Sequence, residues 1–136
     1  KCMLTIKTSI RQSQIQGFGL FAEEKVPKGA TIWRFDSEFD RIFDPKEVDK
    51  MDELKKEFLY HFAYLEKTLQ KFVFPVDDTR FINHSVRPNI VDVGTPGEGL
   101  CCSIACRDIE VGEEITIDYR AIDLNDEKSS EEYLSK

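Results

Sequence analysis

The stretch Arg80-Phe81-Ile82-Asn83-His84-Ser85-Val86-Arg87-Pro88-Asn89 gathers cationic, carboxamide, imidazole and hydroxyl groups around two large apolar residues. In an ordinary core strand these polar groups would lack partners. In a surface turn Phe81 and Ile82 would stand in water. A polar loop pinned inside a fold satisfies both demands and presents its backbone and side chains to a ligand. A buried structural loop whose asparagines cap turns remains open beside that reading. Gly17-Phe18-Gly19 is the second such segment, because glycines let a backbone approach a ligand closely; a tight hairpin turn is its simpler explanation. Tyr119 closes the segment Gly112-Glu113-Glu114-Ile115-Thr116-Ile117-Asp118-Tyr119. A phenol with a pKa near 10 is a poor base at neutral pH, so positioning and electrostatics are the chemistry it offers. The four cysteines, at 2, 101, 102 and 106, do not have zinc-ligand spacing, and no metal is expected.

Together, R-F-x-N-H-S-x-x-P-N, G-E-E-I-T-x-D-Y and the earlier Gly17-Phe18-Gly19-Leu20-Phe21-Ala22 resemble the SET-domain protein-lysine methyltransferases, in the family's order and spacing from about Ile6 to Tyr119. The resemblance implies a mainly β fold with a helical insert, a β-clip of short curved sheets with a threaded C-terminal segment. It implies S-adenosylmethionine as cofactor, its methionine part against Gly17, Phe18 and Gly19, its amino end on Asn83 and its adenine at His84, largely through the backbone. Arg80 supports that pocket or its carboxylate, and Tyr119 borders the methyl-transfer channel as the catalytic residue. Two departures stand in the expected substrate channel. Phe35 occupies a position where many relatives carry a tyrosine, so that Tyr60 or Tyr64 from the insert would have to supply the hydroxyl, and Ile117 stands where relatives are often aromatic. No cysteine follows Cys106 in this sequence, so the chain is expected to be of the minimal bacterial and viral type, without the cysteine-rich segment that many eukaryotic members carry after the final tyrosine. The implied reaction is lysine methylation on a protein substrate, a histone or another basic protein. The competing class is a non-catalytic SET-fold interaction module that retains the cofactor pocket.

The elements that must position these residues are short. Thr5 to Ile10 and Phe18 to Ala22 have strand-forming composition, as do Ala30 to Phe35, Phe72 to Phe74, Ile90 to Val93 and Leu100 to Cys106. Ala22, Val26, Gly29 and Ile32 recur as Ala105, Ile109, Gly112 and Ile115, each copy reading as strand, glycine turn, strand. This echo predicts two related hairpins that face one another. Between them Asp44-Pro45-Lys46-Glu47 is a helix start, and Leu54, Phe58, Phe62 and Leu65 recur at helical spacing. The insert is thus expected over about 44–69, within a single domain of 1–124, followed by an acidic tail or short closing helix over 125–136.

The chain has 136 residues, 40% hydrophobic and 33% charged, enough for one core, and no run long enough to cross a membrane as a helix. A net charge of −7 argues against a direct nucleic-acid surface and favours a basic, lysine-containing polypeptide as partner. A homodimer stays open. The start shows no secretory pattern, so a cytoplasmic, intracellular location is expected, with delivery into a host nucleus as the other location.

Overall fold

The two glycine turns face one another across a pseudo-twofold axis, as the internal echo requires. Gly29 donates its N–H to the Ala105 carbonyl at 2.7 Å, and the mate of that bond runs from Gly112 to the Ala22 carbonyl, also at 2.7 Å. Val26 and Ile109 exchange both of their backbone hydrogen bonds on the axis itself. Both turns carry φ near +90°, a conformation that glycine adopts without the steric cost a Cβ would bring. The echoed apolar residues, Ala22, Val26, Ile32, Ala105, Ile109 and Ile115, are all at most 1% exposed and form the centre of the main core.

The computed structural model describes residues 3–94 and 101–124. In chain order these form β1 (Met3–Leu4), β2 (Thr8–Gln12), β3 (Phe18–Ala22), β4 (Thr31–Arg34), β5 (Arg41–Phe43), α1 (Pro45–Asp49), α2 (Glu53–Phe62), β6 (Tyr64–Glu66) and β7 (Lys71–Phe74). A 3-10 turn (Asp78–Phe81), β8 (Asn83–His84), β9 (Ile90–Gly94), β10 (Cys101–Ala105), β11 (Glu114–Ile117) and the single-turn α3 (Tyr119–Ile122) follow. The strands make small sheets ordered β1-β4-β10-β9, β2-β3-β11-β8 and β5-β7-β6. In the second sheet β11 lies between the first hairpin and β8, antiparallel to β3 and parallel to β8. The C-terminal segment is thereby inserted beside the polar loop. Asn89, 1% exposed, fixes the arrangement: its side chain accepts from the Thr116 N–H and donates to the Glu114 carbonyl, both at 2.8 Å.

The helical insert differs from its expected form. Asp44 caps α1, with Pro45 as its first residue and Glu47 in the first turn, as the helix-start pattern indicates. Helix ends at Phe62, however, because Ala63 turns extended (ψ 163°) and Tyr64–Glu66 pairs with β7 as a strand. Leu65 therefore belongs to no helical stripe. Leu54 and Phe58, expected on a core face, are 79% and 53% exposed, and the side chain α2 buries is Leu59. Thr5 to Ile10 also shifts, the strand running from Thr8 to Gln12. Cys102 and Cys106 are free thiols, the first buried in β10 as a small apolar group. Cys2, the turn over 95–100 and the tail over 125–136 lie outside the described residues.

Candidate functional site

Asn83 is the joint between the glycine hairpin and β11. It is 7% exposed, and its Nδ2 reaches the Gln16 carbonyl (3.2 Å), the Phe18 carbonyl (3.1 Å) and Glu114 Oε2 (2.9 Å). Ser13 donates its hydroxyl to the same Glu114 carboxylate. These bonds engage the amide nitrogen and leave the Oδ1 carbonyl as an acceptor. Beside the expected approach to a ligand, Gly19 has a requirement within the fold: a Cβ there would collide with Glu114 Oε2 and stand 3.1 Å from Asn83 Nδ2. Its bare backbone thus makes room for the Asn83–Glu114 pair, while Gly17 and Phe18 face the open cleft in front. That cleft, about 650 Å³ with its mouth, is walled by Gln16, Gly17, Phe18, Arg80, Asn83 and Tyr119 among others. Phe18 stands 62% exposed at its lip.

Arg80 crosses from this cleft into a second one. Its guanidinium lies 5.0 Å from the ring centres of both Phe62 and Phe81, a cation held between aromatic faces. Its buried Nε has no hydrogen-bond partner among the described residues. A buried donor in that state is costly until an acceptor reaches it.

Tyr119 sits at the junction. Its hydroxyl donates to the Ile82 carbonyl at 2.7 Å, and its backbone N–H donates to His84 Nδ1 at 3.0 Å. The His84 imidazole is 1% exposed and lies against the Tyr119 ring at 5.2 Å between centres. Because Nδ1 accepts, this is the neutral tautomer with its proton on Nε2. The imidazole is thus a strut under Tyr119 and not part of the cleft wall. Asp118 caps the one-turn helix that carries Tyr119, and its bonds to Arg120 hold its carboxyl below the usual carboxylate range.

The second cleft, about 610 Å³ with its mouth, lies on the far side of Tyr119 and shares His61, Phe62, Arg80, Ile82 and Tyr119 with the first. Tyr64 and Ile117, both expected in the substrate channel, line it; Phe35 and Tyr60 do not. Phe35 makes an edge-on contact with Trp33 of this cleft, 6.5 Å between centres. Three residues of this region are given no role by the motifs: Glu114 behind Asn83, which stands within G-E-E-I-T-x-D-Y, and Trp33 and Asp92 in the second cleft, which stand in no motif. Only the sheet register reveals the last two.

Burial pushes the Asp92 carboxyl up to about 6, with the Ser103 hydroxyl opposing and Glu66 adding repulsion. A proton held more tightly in the folded state means that stability falls as pH rises from about 3.8, where the unfolded carboxyl ionises, to about 6, and is level above. Asp92→Asn removes this dependence. The variant's unfolding free energy should gain on wild type by about 2–3 kcal/mol across that window. Urea unfolding at a series of pH values reads the difference, and a flat difference would mean that Asp92 is ordinarily solvated.

Residues 17–120 match the SET domain family model. A Schizosaccharomyces pombe protein named histone-lysine N-methyltransferase, H3 lysine-36 specific, is 36% identical over 121 residues, covering 83% of this chain and 14% of that protein. The Drosophila melanogaster histone-lysine N-methyltransferase trr is 31% identical, covering 87% of this chain and 5% of its own length. This chain thus spans only a small part of these relatives. A solved Plasmodium falciparum structure, named as a candidate histone methyltransferase, superposes with a TM-score of 0.59 at 20% identity, over 85% of this chain and 95% of that one, and shares the fold. These relatives are eukaryotic, so the bacterial or viral affinity expected from the cysteine pattern finds no support among them.

Proposed function

The chain belongs to the SET-domain family, and we propose that it methylates lysine side chains of a basic protein, a histone or another, with S-adenosylmethionine as donor. The observation that carries this reading is the pair of clefts meeting at Tyr119, one edged by Gly17, Phe18 and Asn83, the other tighter and walled in part by Trp33, Ile82, Ile90 and Ile117. The residues of the first cleft fit that donor. Asn83 Oδ1 offers an acceptor for an α-ammonium group, and the buried Arg80 Nε offers a donor that still needs an acceptor such as a carboxylate.

When bound, S-adenosylmethionine supplies an electrophilic methyl group on a sulfonium. Everything else falls to the chain. Ile82 and Ile117 give the second cleft apolar walls, which disfavour a charged amine and lower its pKa toward the neutral, nucleophilic form. The Tyr119 hydroxyl donates to the Ile82 carbonyl, which fixes the direction of its oxygen at the junction, where it orients the amine. His84 and the Asp118 cap fix the ring that carries this hydroxyl. Phe62 and Arg80 wall both clefts at the junction.

Incubation with S-adenosylmethionine and a panel of lysine-rich proteins, read by intact mass, tests the proposal. Methyl increments on a protein are expected. Cofactor binding without any increment would favour the non-catalytic module. The net charge of −7 adds an expectation about encounter. If it steers a basic substrate, the second-order rate should fall several-fold as salt rises from about 0.01 M to about 0.15 M. A level salt response would leave the charge to solubility alone.

A further inference from the structure

Trp33, Ser103 and Asp92 stand directly opposite one another on three neighbouring strands, Ser103 pairing with Trp33 on one side and with Asp92 on the other. Residues so paired place their side chains on one face of the sheet, and here that face is the wall of the second cleft. Trp33 is 2% exposed, and its indole Nε1–H has no acceptor among the described residues. Ser103, 4% exposed, donates its hydroxyl to Asp92 Oδ1, which turns the carboxylate to a fixed direction and leaves Oδ2 as an acceptor. A carboxylate engaged at one oxygen and open at the other leaves the cleft wall one acceptor for a guest.

We propose that Asp92, set by Ser103, is the acceptor that selects a primary ammonium group on an aliphatic stem, the target lysine, as it enters the cleft, with the Trp33 ring as the wall for the stem. This rests on the methyltransferase reading and deepens it. Asp92 is a specificity-determining residue here and not the base. A carboxyl titrating near 6 is about four units too acidic to hold the proton of an ordinary lysine ammonium. Its charge acts on the ammonium as it enters and again on the methylated cation as it leaves. A carboxylate beside the amine holds its pKa up, so favouring the neutral form at the reacting position falls to the apolar walls of Ile82 and Ile117. The other titratable or charged groups around it are Glu66 on β6, Asp123 after α3, Arg80, His61 on α2, and the phenols of Tyr64 and Tyr119. Asp123 Oδ1 accepts from the Leu65 N–H and Glu66 Oε2 from the Leu69 N–H, while Arg80 is held between two phenylalanines.

The chain has one tryptophan, and it lines this cleft, so its fluorescence reports occupancy directly. The probes are n-butylammonium chloride and, as the neutral isostere, 1-butanol, without cofactor. Wild type should show a saturable emission change with butylammonium and a much weaker one with butanol. Asp92→Asn should weaken the butylammonium response about tenfold, the scale of one hydrogen bond to a charged group, and leave butanol unchanged. In wild type the same loss should follow as pH falls through about 6, and it should persist in His61→Gln, which removes the imidazole that lines the same cleft. This arm decides the matter even if Asp92→Asn does not fold. Equal responses to the two probes, an unchanged Asp92→Asn, no pH step, or a step abolished by His61→Gln would each overturn the proposal. Methylation is read separately. A chain that methylates but binds butylammonium without Asp92 keeps the enzyme and loses the acceptor; one that binds through Asp92 but never methylates does the reverse.

Discussion

Tyr119→Phe should fold as wild type, hold S-adenosylmethionine nearly as tightly, and lose about 100-fold or more in single-turnover methyl transfer, the scale of removing one aligned polar group from a transition state. The ring keeps its contact with His84 and the backbone N–H keeps its bond to Nδ1, so the substitution deletes only the hydroxyl at the junction of the clefts. The Ile82 carbonyl loses a donor, which costs about 1 kcal/mol of stability at most if water replaces it. Rapid-quench kinetics with saturating cofactor measure the effect. A rate within a few-fold of wild type would remove the hydroxyl from the chemistry and leave Tyr119 as wall packing.

The second large effect belongs to Asn83. Asn83→Ala should weaken S-adenosylmethionine binding by about 1–3 kcal/mol, roughly 5- to 150-fold, the cost of leaving a charged group short of a hydrogen bond. The same substitution unpins the Gln16 and Phe18 carbonyls and withdraws a donor from Glu114. Part of the loss therefore comes from a looser hairpin, and Asn83→Asp separates the two sources. The aspartate restores an acceptor for the α-ammonium but sets two carboxylates against each other at Glu114. Calorimetry on folded Asn83→Ala with unchanged affinity would take Asn83 out of the cofactor site.

What could be seen in the sequence were residues whose partners are also motif residues. Asn83 meets the Phe18 carbonyl and His84 meets Tyr119, so three segments far apart in the chain declare one site. The echo of Ala22, Val26 and Gly29 in Ala105, Ile109 and Gly112 was legible because the same hydrogen-bonded turn is built twice. The insert was less so. A 3.6-residue spacing continues arithmetically through Ala63, whereas the chain there turns extended and Leu65 joins a sheet. Gly19 was legible as a close approach but not as an approach to Glu114. Asp92 carries no signal at all. Between Val91 and Val93 it has the alternation of a strand with one wet face, and only the register across β4, β10 and β9 shows that this face is a cleft.

The central claim, that the two clefts meeting at Tyr119 pass a methyl group from cofactor to lysine, is tested most directly by carrying the label through. Wild-type chain, S-adenosylmethionine with a deuterated methyl group and a lysine-rich protein are incubated, and the product is digested and sequenced by tandem mass spectrometry. The account predicts the intact trideuteromethyl group on lysine Nζ, strongly reduced with Tyr119→Phe. Label on another residue type, or none while calorimetry shows the cofactor bound, would contradict it.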